Sequence, residues 1–364
     1  MNILFVSAVL PYPLYSGGQI RIYNLLKRLS KRHTITLVSC IRSEEERAYK
    51  KDLAFCHEVH MVMRGRVWQL RFLMNAIGKY PLLLASYDLS DMRTSLQMLL
   101  DRGHFDLVHL EPFYVWPSVP NTDVPIVVSE HNVEYEVYKR ITPAFFRWDT
   151  AKLAYWEAFV WKKAAALTAV SDDDALVMKR VSGRDVTIVH NGVDTKTFRF
   201  RKPNISKKPT LLFVGNFRWY PNREAAKTLV SRVWPKVRSS MPGARLWIVG
   251  KDIPEAYKEF EKKTDDIATI YRDADILVAP HSVPSGTKYK MLEAMATGLP
   301  IVTTKEGAKG LGMEENVHYV TDITRLWDNP SLAEDLAKNG RKLVEEKYAW
   351  DQISQKLDYV WKNA

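Results

Sequence analysis

Short runs in which nearly every position is apolar recur along this chain, each followed by a segment whose apolar residues fall at helical spacing. "NILFV" (2–6) precedes "GQIRIYNLLKRLSKR" (18–32), and "TITLVSC" (34–40), "FDLVHL" (105–110), "PIVVSEH" (125–131), "ALTAVS" (166–171) and "VTIVHN" (186–191) follow. Runs that are apolar on both faces, rather than alternating, are the pattern of strands buried in a parallel sheet. The rhythm stops at "FRFRKPNISKKP" (198–209), a basic stretch with proline and no period, and restarts with "TLLFVGN" (210–216), "ARLWIVG" (244–250), "ADILVAP" (274–280) and "PIVTT" (300–304). The pattern predicts two α/β domains, residues 1–198 and 199–348, joined by a polar linker. The last segment, "AWDQISQKLDYVWKN" (349–363), puts Ile353, Leu357, Val360 and Trp361 at helical spacing. It predicts a helix over 349–364 packing back on the first domain. Ligands of such sheets lie beyond the C-terminal ends of the strands, so a site in a cleft between two facing domains is expected.

Composition narrows the class. At 364 residues the chain is long for one core, and 46% hydrophobic with 26% charged residues is ordinary for a globular protein. Two cysteines, Cys40 and Cys56, make neither a disulfide framework nor a metal-ligand spacing and fit a reducing, cytoplasmic setting. No run of about 18 apolar residues occurs. The start "MNILFVSAVLPYP" lacks a basic leader region and reads as a first strand rather than a signal peptide. A net charge of +11 calls for an anionic partner. No zinc-finger, RNA-binding or helix-turn-helix signature accompanies it, so no nucleic acid is expected; lipid and nucleotide phosphates remain. Two segments, 64–87 and 138–164, interleave basic and aromatic residues. They read either as interfacial segments on an anionic membrane surface or as aromatic helices packed into a core.

Candidate chemistry collects at the strand ends. Gly17 and Gly18 stand between the first strand and its helix, where small residues and a helix N-terminus suit a phosphate or mark a tight turn. Glu130, His131 and Asn132 end the strand at 125–129, and Glu111 ends another; His131 is the stronger candidate. In "VSDDDALVMKR" (170–180) the D-x-D pattern suggests a metal-bound nucleotide sugar, but Ser171 followed by three acids is an N-cap signature, so no metal is implied. Gly215, Asn216 and Arg218 leave the strand at 210–216, with Arg218 able to meet an anion or to be a solvated loop charge. Ser285, Gly286 and Thr287 open a helix with Lys288 beside them, a cradle of N–H groups for an anion. Glu293, on that helix among Leu292, Ala294, Met295 and Ala296, is placed to accept from sugar hydroxyls.

Taken in order, "SEHNVEY", "AVSDDD", "NGVDTKTF", "FVGNFRWYPN", "SGTKYKMLEAMATGLPIVTT" and "NGRKLVEEKYAWDQISQKL", with the Gly17-Gly18 loop, resemble the large family of retaining GT-B glycosyltransferases that use nucleotide sugars, common in bacterial cell-surface polysaccharide synthesis. The resemblance implies two Rossmann-like domains facing across a cleft, with the second binding the donor. It implies a nucleoside diphosphate sugar as donor substrate, no cofactor, no metal, and a saccharide or lipid-linked acceptor on the cytoplasmic face of a membrane. By position, Gly17 and Gly18 would lie near the diphosphate and acceptor, and His131 on the transferred sugar. Glu111 would lie towards the acceptor, Gly215 and Asn216 towards the donor, Arg218 and Lys288 on the diphosphate, and Glu293 on the ribose. Two departures stand out. Ser285 occupies the position of the family's first glutamate, which puts the sugar in doubt. The stretch 251–274 reads as helix throughout where the family has a further strand, so either a strand is lost or residues are left out, and 319–330 is short too. Other readings of the same fold are a nucleotide-sugar epimerase and a non-catalytic protein that binds nucleotide sugar.

Overall fold

The computed structural model describes residues 1–64, 78–205, 208–282 and 288–364. The chain divides into two compact units, one formed by Met1–His190 with Ile353–Ala364 and the other by Asn191–Gln352.

In the first unit the apolar runs become β1 (Asn2–Ser7), β2 (Thr34–Ile41), β4 (Leu107–Glu111), β5 (Ile126–Glu130), β6 (Ala166–Ala169) and β7 (Val186–Ile188). Glu58–Met63 adds β3, which the pattern of apolar runs does not announce. It is an edge strand paired with β2 alone, in which only Val59 and Val62 are buried while Glu58 is exposed and His60, Met61 and Met63 are half-buried. The sheet order is β3-β2-β1-β4-β5-β6-β7, with every pairing parallel. Order reverses between β1 and β4, and that switch point is where a doubly wound sheet opens a crevice.

Helix α1 (Gly17–Leu29) follows β1. Ser16 caps it by accepting from the Gln19 N–H, Lys27 and Arg28 complement its C-terminal dipole, and Ile22, Leu25, Leu26 and Leu29 face the sheet. Further on lie α2 (Ser90–Arg102), α3 (Glu134–Ile141), α4 (Arg147–Lys163) and α5 (Asp172–Ser182). At α5, Ser171 accepts from the Asp174 N–H, so the three aspartates sit in a capped first turn, and Gly183 closes the helix at φ 72°.

The second unit holds a four-stranded parallel sheet of β8 (Thr210–Asn216), β9 (Arg245–Lys251), β10 (Ile276–Ala279) and β11 (Ile301–Thr303), ordered β11-β10-β8-β9. Its switch point falls between β10 and β8. The helices used below are α6 (Tyr220–Thr228), α7 (Ile267–Asp273), α8 (Tyr289–Thr297), α9 (Lys305–Ala308) and α10 (Pro330–Lys347). Two expectations are corrected here. The stretch 251–274 is not helical throughout: a 3-10 turn covers Glu255–Phe260, Glu261 makes a single parallel bridge to Ile248, and only Ile267–Asp273 is α-helix. That bridge lies beside β9 at the sheet edge, so a missing strand there leaves no gap inside the sheet. The unit boundary also comes earlier than residue 198, because Val193 pairs with Ala349 and Phe198 is buried in the second unit's core.

The final helix, α11 (Trp350–Lys362), buries Ile353, Leu357, Val360 and Trp361, and from Ile353 onward it belongs to the first unit. Its Asp358 accepts from Arg32 at 3.2 Å and pairs with His33 Nε2 at 2.7 Å, which fastens the helix to the end of α1.

Candidate active site

At the β1–β4 switch point the first unit carries a buried ionic network. Glu111, the last residue of β4, is fully buried and accepts from three donors. Arg21 Nε lies 2.6 Å from Oε1, His131 Nε2 2.9 Å from the same oxygen, and His109 Nε2 3.1 Å from Oε2. Arg21 projects from α1 one turn after Gly17, and its other arm donates to the carbonyls of Val189 and His190 at 2.8 and 2.9 Å. Burial alone would raise the Glu111 carboxyl, but Arg21 and the two histidine hydrogen bonds hold it well below the usual range, so it is an anion.

The histidine tautomers follow from this charge. The Trp361 indole can only donate, and it meets His109 Nδ1 at 3.0 Å, so His109 carries its proton on Nε2 and gives it to Glu111. Burial keeps His109 neutral by lowering its pKa. His131 faces the same carboxylate with Nε2 and must likewise donate from it, which turns Nδ1 into an acceptor while the ring is neutral. Nδ1 and Cε1 lie against Gly18: a Cβ placed there would come within 3.4 and 3.3 Å of them. Glycine at 18 therefore lets the helix N-terminus approach the imidazole.

Below His131 a second group of acids is structural. Glu157 on α4 accepts the N–H groups of Glu134 and Tyr135, both at 2.7 Å, capping α3, and burial pushes it up to about 8. Trp161 Nε1 donates to Glu130 Oε1 at 3.0 Å, Tyr114 donates to Glu134, and burial raises both carboxyls.

In the second unit, β8 ends in Gly215 and Asn216 at the β8–β10 switch point. Asn222, in the first turn of α6, packs on Gly215 and donates to the Asn216 carbonyl at 2.9 Å. Gly250 at the end of β9 has φ 149°, and a Cβ there would stand 1.7 Å from the Gly215 carbonyl oxygen, so the two strand ends run in contact. Arg218 lies on the exposed turn beyond, its Nε 2.8 Å from Asp252. Glu293 is on α8, partly buried, beside the fully buried Tyr271 of α7. Burial pushes its carboxyl up to about 7, against the pull of Tyr271 and Lys290.

Of the expected site residues, Glu111, His131, Gly215 and Asn216 lie at strand ends, Gly17 and Gly18 open α1 and Glu293 lies inside α8, with two corrections and one omission. Glu111 does not face an acceptor. Its carboxylate is enclosed by Arg21, His109 and His131 and orients His131. Lys288 donates to the carbonyls of Glu306 at 3.0 Å and Lys309 at 2.5 Å, so its charge caps the end of α9. Ser285, Gly286 and Thr287 lie outside the described residues, as does part of the segment 64–87. Arg21, His109, Trp361, Asn222, His281 and Lys290 were missed. Arg21 had a sequence signal: in "GGQIRIYNLLKRL" it falls one turn from Gly17 and Leu25, a cation on an otherwise apolar face.

Comparison with known proteins is consistent with this architecture. Residues 15–197 match the family profile "Glycosyltransferase Family 4", and residues 208–345 match "Glycosyl transferases group 1". An uncharacterized 44.6 kDa protein in the cps region of Klebsiella pneumoniae is 22% identical, over 95% of this chain and 96% of its own. The MMP alpha-(1->4)-mannosyltransferase of Mycolicibacterium hassiacum is 23% identical over 72% of each chain. Among solved structures, Anabaena HepE in complex with UDP and glucose covers all of both chains with a TM-score of 0.66 at 13% identity.

Proposed function

Since the chain belongs to glycosyltransferase family 4, with a group 1 glycosyl transferase domain in its second unit, we propose a metal-independent transfer from a nucleoside diphosphate sugar with retention at the anomeric carbon. Transfer of a sugar from a nucleotide sugar is the family's activity. The acceptor is a hydroxyl of a saccharide or of a lipid-linked saccharide in cell-surface glycan synthesis, a reading supported by the relative in the cps region. UDP is the nucleoside diphosphate to test first, because HepE is described with UDP.

The observation that carries the reading is the fixed imidazole of His131. Glu111 sets its tautomer, Gly18 sets its distance from the α1 N-terminus, and the switch-point location sets it where an α/β sheet receives ligands. An acceptor nitrogen of fixed direction can take a hydrogen bond from a sugar hydroxyl. The positive end of α1 lies beside the same position and favours an anionic neighbour. Charge accumulates on the diphosphate as it leaves, so donors aimed at that charge lower the barrier, and these groups are in place before reaction.

No helix among the described residues is long and apolar enough to cross a membrane. We place the protein on the cytoplasmic face of an anionic membrane. Phe145, Phe146 and Trp148 are exposed around the start of α4 and Tyr155 at its middle, alongside Lys139, Arg140 and Arg147, and the net charge is +11.

A thermal-shift panel of nucleoside diphosphates and their sugars tests the donor, because a ligand of the folded state raises the melting point. A shift of several degrees is expected for one base and its sugar, followed by sugar transfer when membrane extract supplies acceptor. Turnover of the donor without acceptor would instead indicate epimerisation. Absence of any shift across the panel would defeat the donor reading.

A further inference from the structure

At the β8–β10 switch point the second unit holds a cation on neutral groups. Lys290, the second residue of α8, sends its ammonium 2.7 Å from Asn222 Oδ1 on α6 and 3.1 Å from His281 Nε2, just past β10. The same ammonium lies over the Phe213 ring of β8, 4.8 Å from its centre. Side chains from β8, from α6 and from the end of β10 thus converge on one charge. His281 is buried, and burial followed by the nearby lysine charges pushes it down to about 3, so it is neutral and its Nε2 accepts. Among the described residues no carboxylate pairs with Lys290; Glu293, one turn along α8, acts on it only through its charge.

Arg218 and Lys288, the two cations expected on the diphosphate, differ in this respect. Arg218 is forked on Asp252, at 2.8 and 3.3 Å, and Lys288 caps α9. An ammonium partly removed from water and held by an amide oxygen and an imidazole has the most to gain from an arriving anion. Burial has already pushed Lys290 down to about 7, and an approaching phosphate restores the charged form.

We propose that Lys290 contacts the phosphates of the donor and stabilises the departing diphosphate. The inference rests on the nucleotide-sugar reading above. In the step concerned, the bond between the anomeric carbon and the diphosphate oxygen breaks, and its electron pair stays on that oxygen beside the Lys290 ammonium. The acceptor oxygen forms the new bond to the anomeric carbon, and its proton passes to the diphosphate. Asn222 and His281 hold the ammonium in place and are positioning residues.

The test compares wild type with K290M and K290R. UDP, GDP and ADP are titrated by calorimetry, each against its own nucleoside measured by displacement, and donor turnover is measured in parallel. K290M is expected to lower kcat by about 10²–10³, the range for removing one such donor. It should also weaken diphosphate binding by about tenfold or more while leaving nucleoside binding within about twofold, with K290R recovering part of both losses. A purely structural lysine would move nucleoside and diphosphate binding together, with the melting point, and that outcome overturns the proposal. So does a K290M protein within a few-fold of wild type in kcat and diphosphate affinity. If K290M does not fold, K290Q carries the same comparison, since it can still hydrogen-bond Asn222 and His281 without charge. Failure of the wild type to bind any of the three diphosphates would overturn the donor reading along with Lys290. Wild-type binding that K290M retains overturns Lys290 alone.

Discussion

Glu111 shows what a single carboxylate does when three donors converge on it. Its partners come from α1, from its own strand and from the end of β5. Replacing it with glutamine keeps the shape but turns an N–H₂ group towards a donor and leaves Arg21 buried without its anion. Breaking a buried pair from one side costs about 3–5 kcal/mol. Glu111→Gln should therefore lower the urea stability by about 3 kcal/mol and also depress kcat, because His131 loses the acceptor that fixes its tautomer. A loss below about 1 kcal/mol in the urea titration would show that the network is not tightly coupled. At this scale the sequence was informative about position and silent about partners. His131 and Glu111 were visible as polar residues closing apolar strands, but Arg21 is 90 residues from Glu111 and Trp361 is 252 from His109. No local pattern encodes contacts of that separation. The same holds for Lys290: its two acceptors lie on other elements, so in "TKYKMLEAM" it looked no different from Lys288.

Elements were legible in proportion to how fully they are buried. Strands β1, β2, β4, β5, β6 and β8 to β11 read as continuous apolar runs because helices cover both faces of a parallel sheet. β3 was hidden because an edge strand needs few buried residues, and only Val59 and Val62 of its six are buried. The stretch 251–274 misled because short polar segments with scattered apolar residues fit a helical period without forming one. Helix α11 was readable, since Ile353, Leu357, Val360 and Trp361 keep its period; that its tryptophan also serves as a polar partner was not. Trp361→Phe keeps the ring contacts with Phe5 and His33 but removes the N–H that His109 Nδ1 accepts. A buried acceptor left unmade costs about 1–3 kcal/mol. Chemical denaturation of this variant should show a loss in that range, and an unchanged midpoint would mean that another donor replaces the indole.

For the molecule as a whole, the two-domain α/β arrangement was the most legible feature, because the apolar rhythm runs twice with an unpatterned basic stretch between. The exact division was not, since Val193 and Phe198 look like linker in sequence and are bound into the second core. Charge belongs to this scale too. With +11 on the chain and four exposed aromatics on and just before α4, vesicles of anionic phospholipid should carry the protein upward in flotation at low salt and release most of it at high salt. Phe145→Ser with Trp148→Ser should reduce the floated fraction at both. Flotation that ignores lipid charge and these two residues would remove this surface from consideration.

The return of the last helix to the first unit has a consequence for how the protein comes into being. A ribosome releases residue 190 long before residue 361, and at about 5–20 residues per second the delay is roughly ten to thirty seconds. During that interval the nascent first unit has all seven strands of its sheet but not the indole that His109 expects, nor Asp358 for His33. The first unit is thus begun before the second and finished after it, and its histidine network closes only once Trp361 has been made.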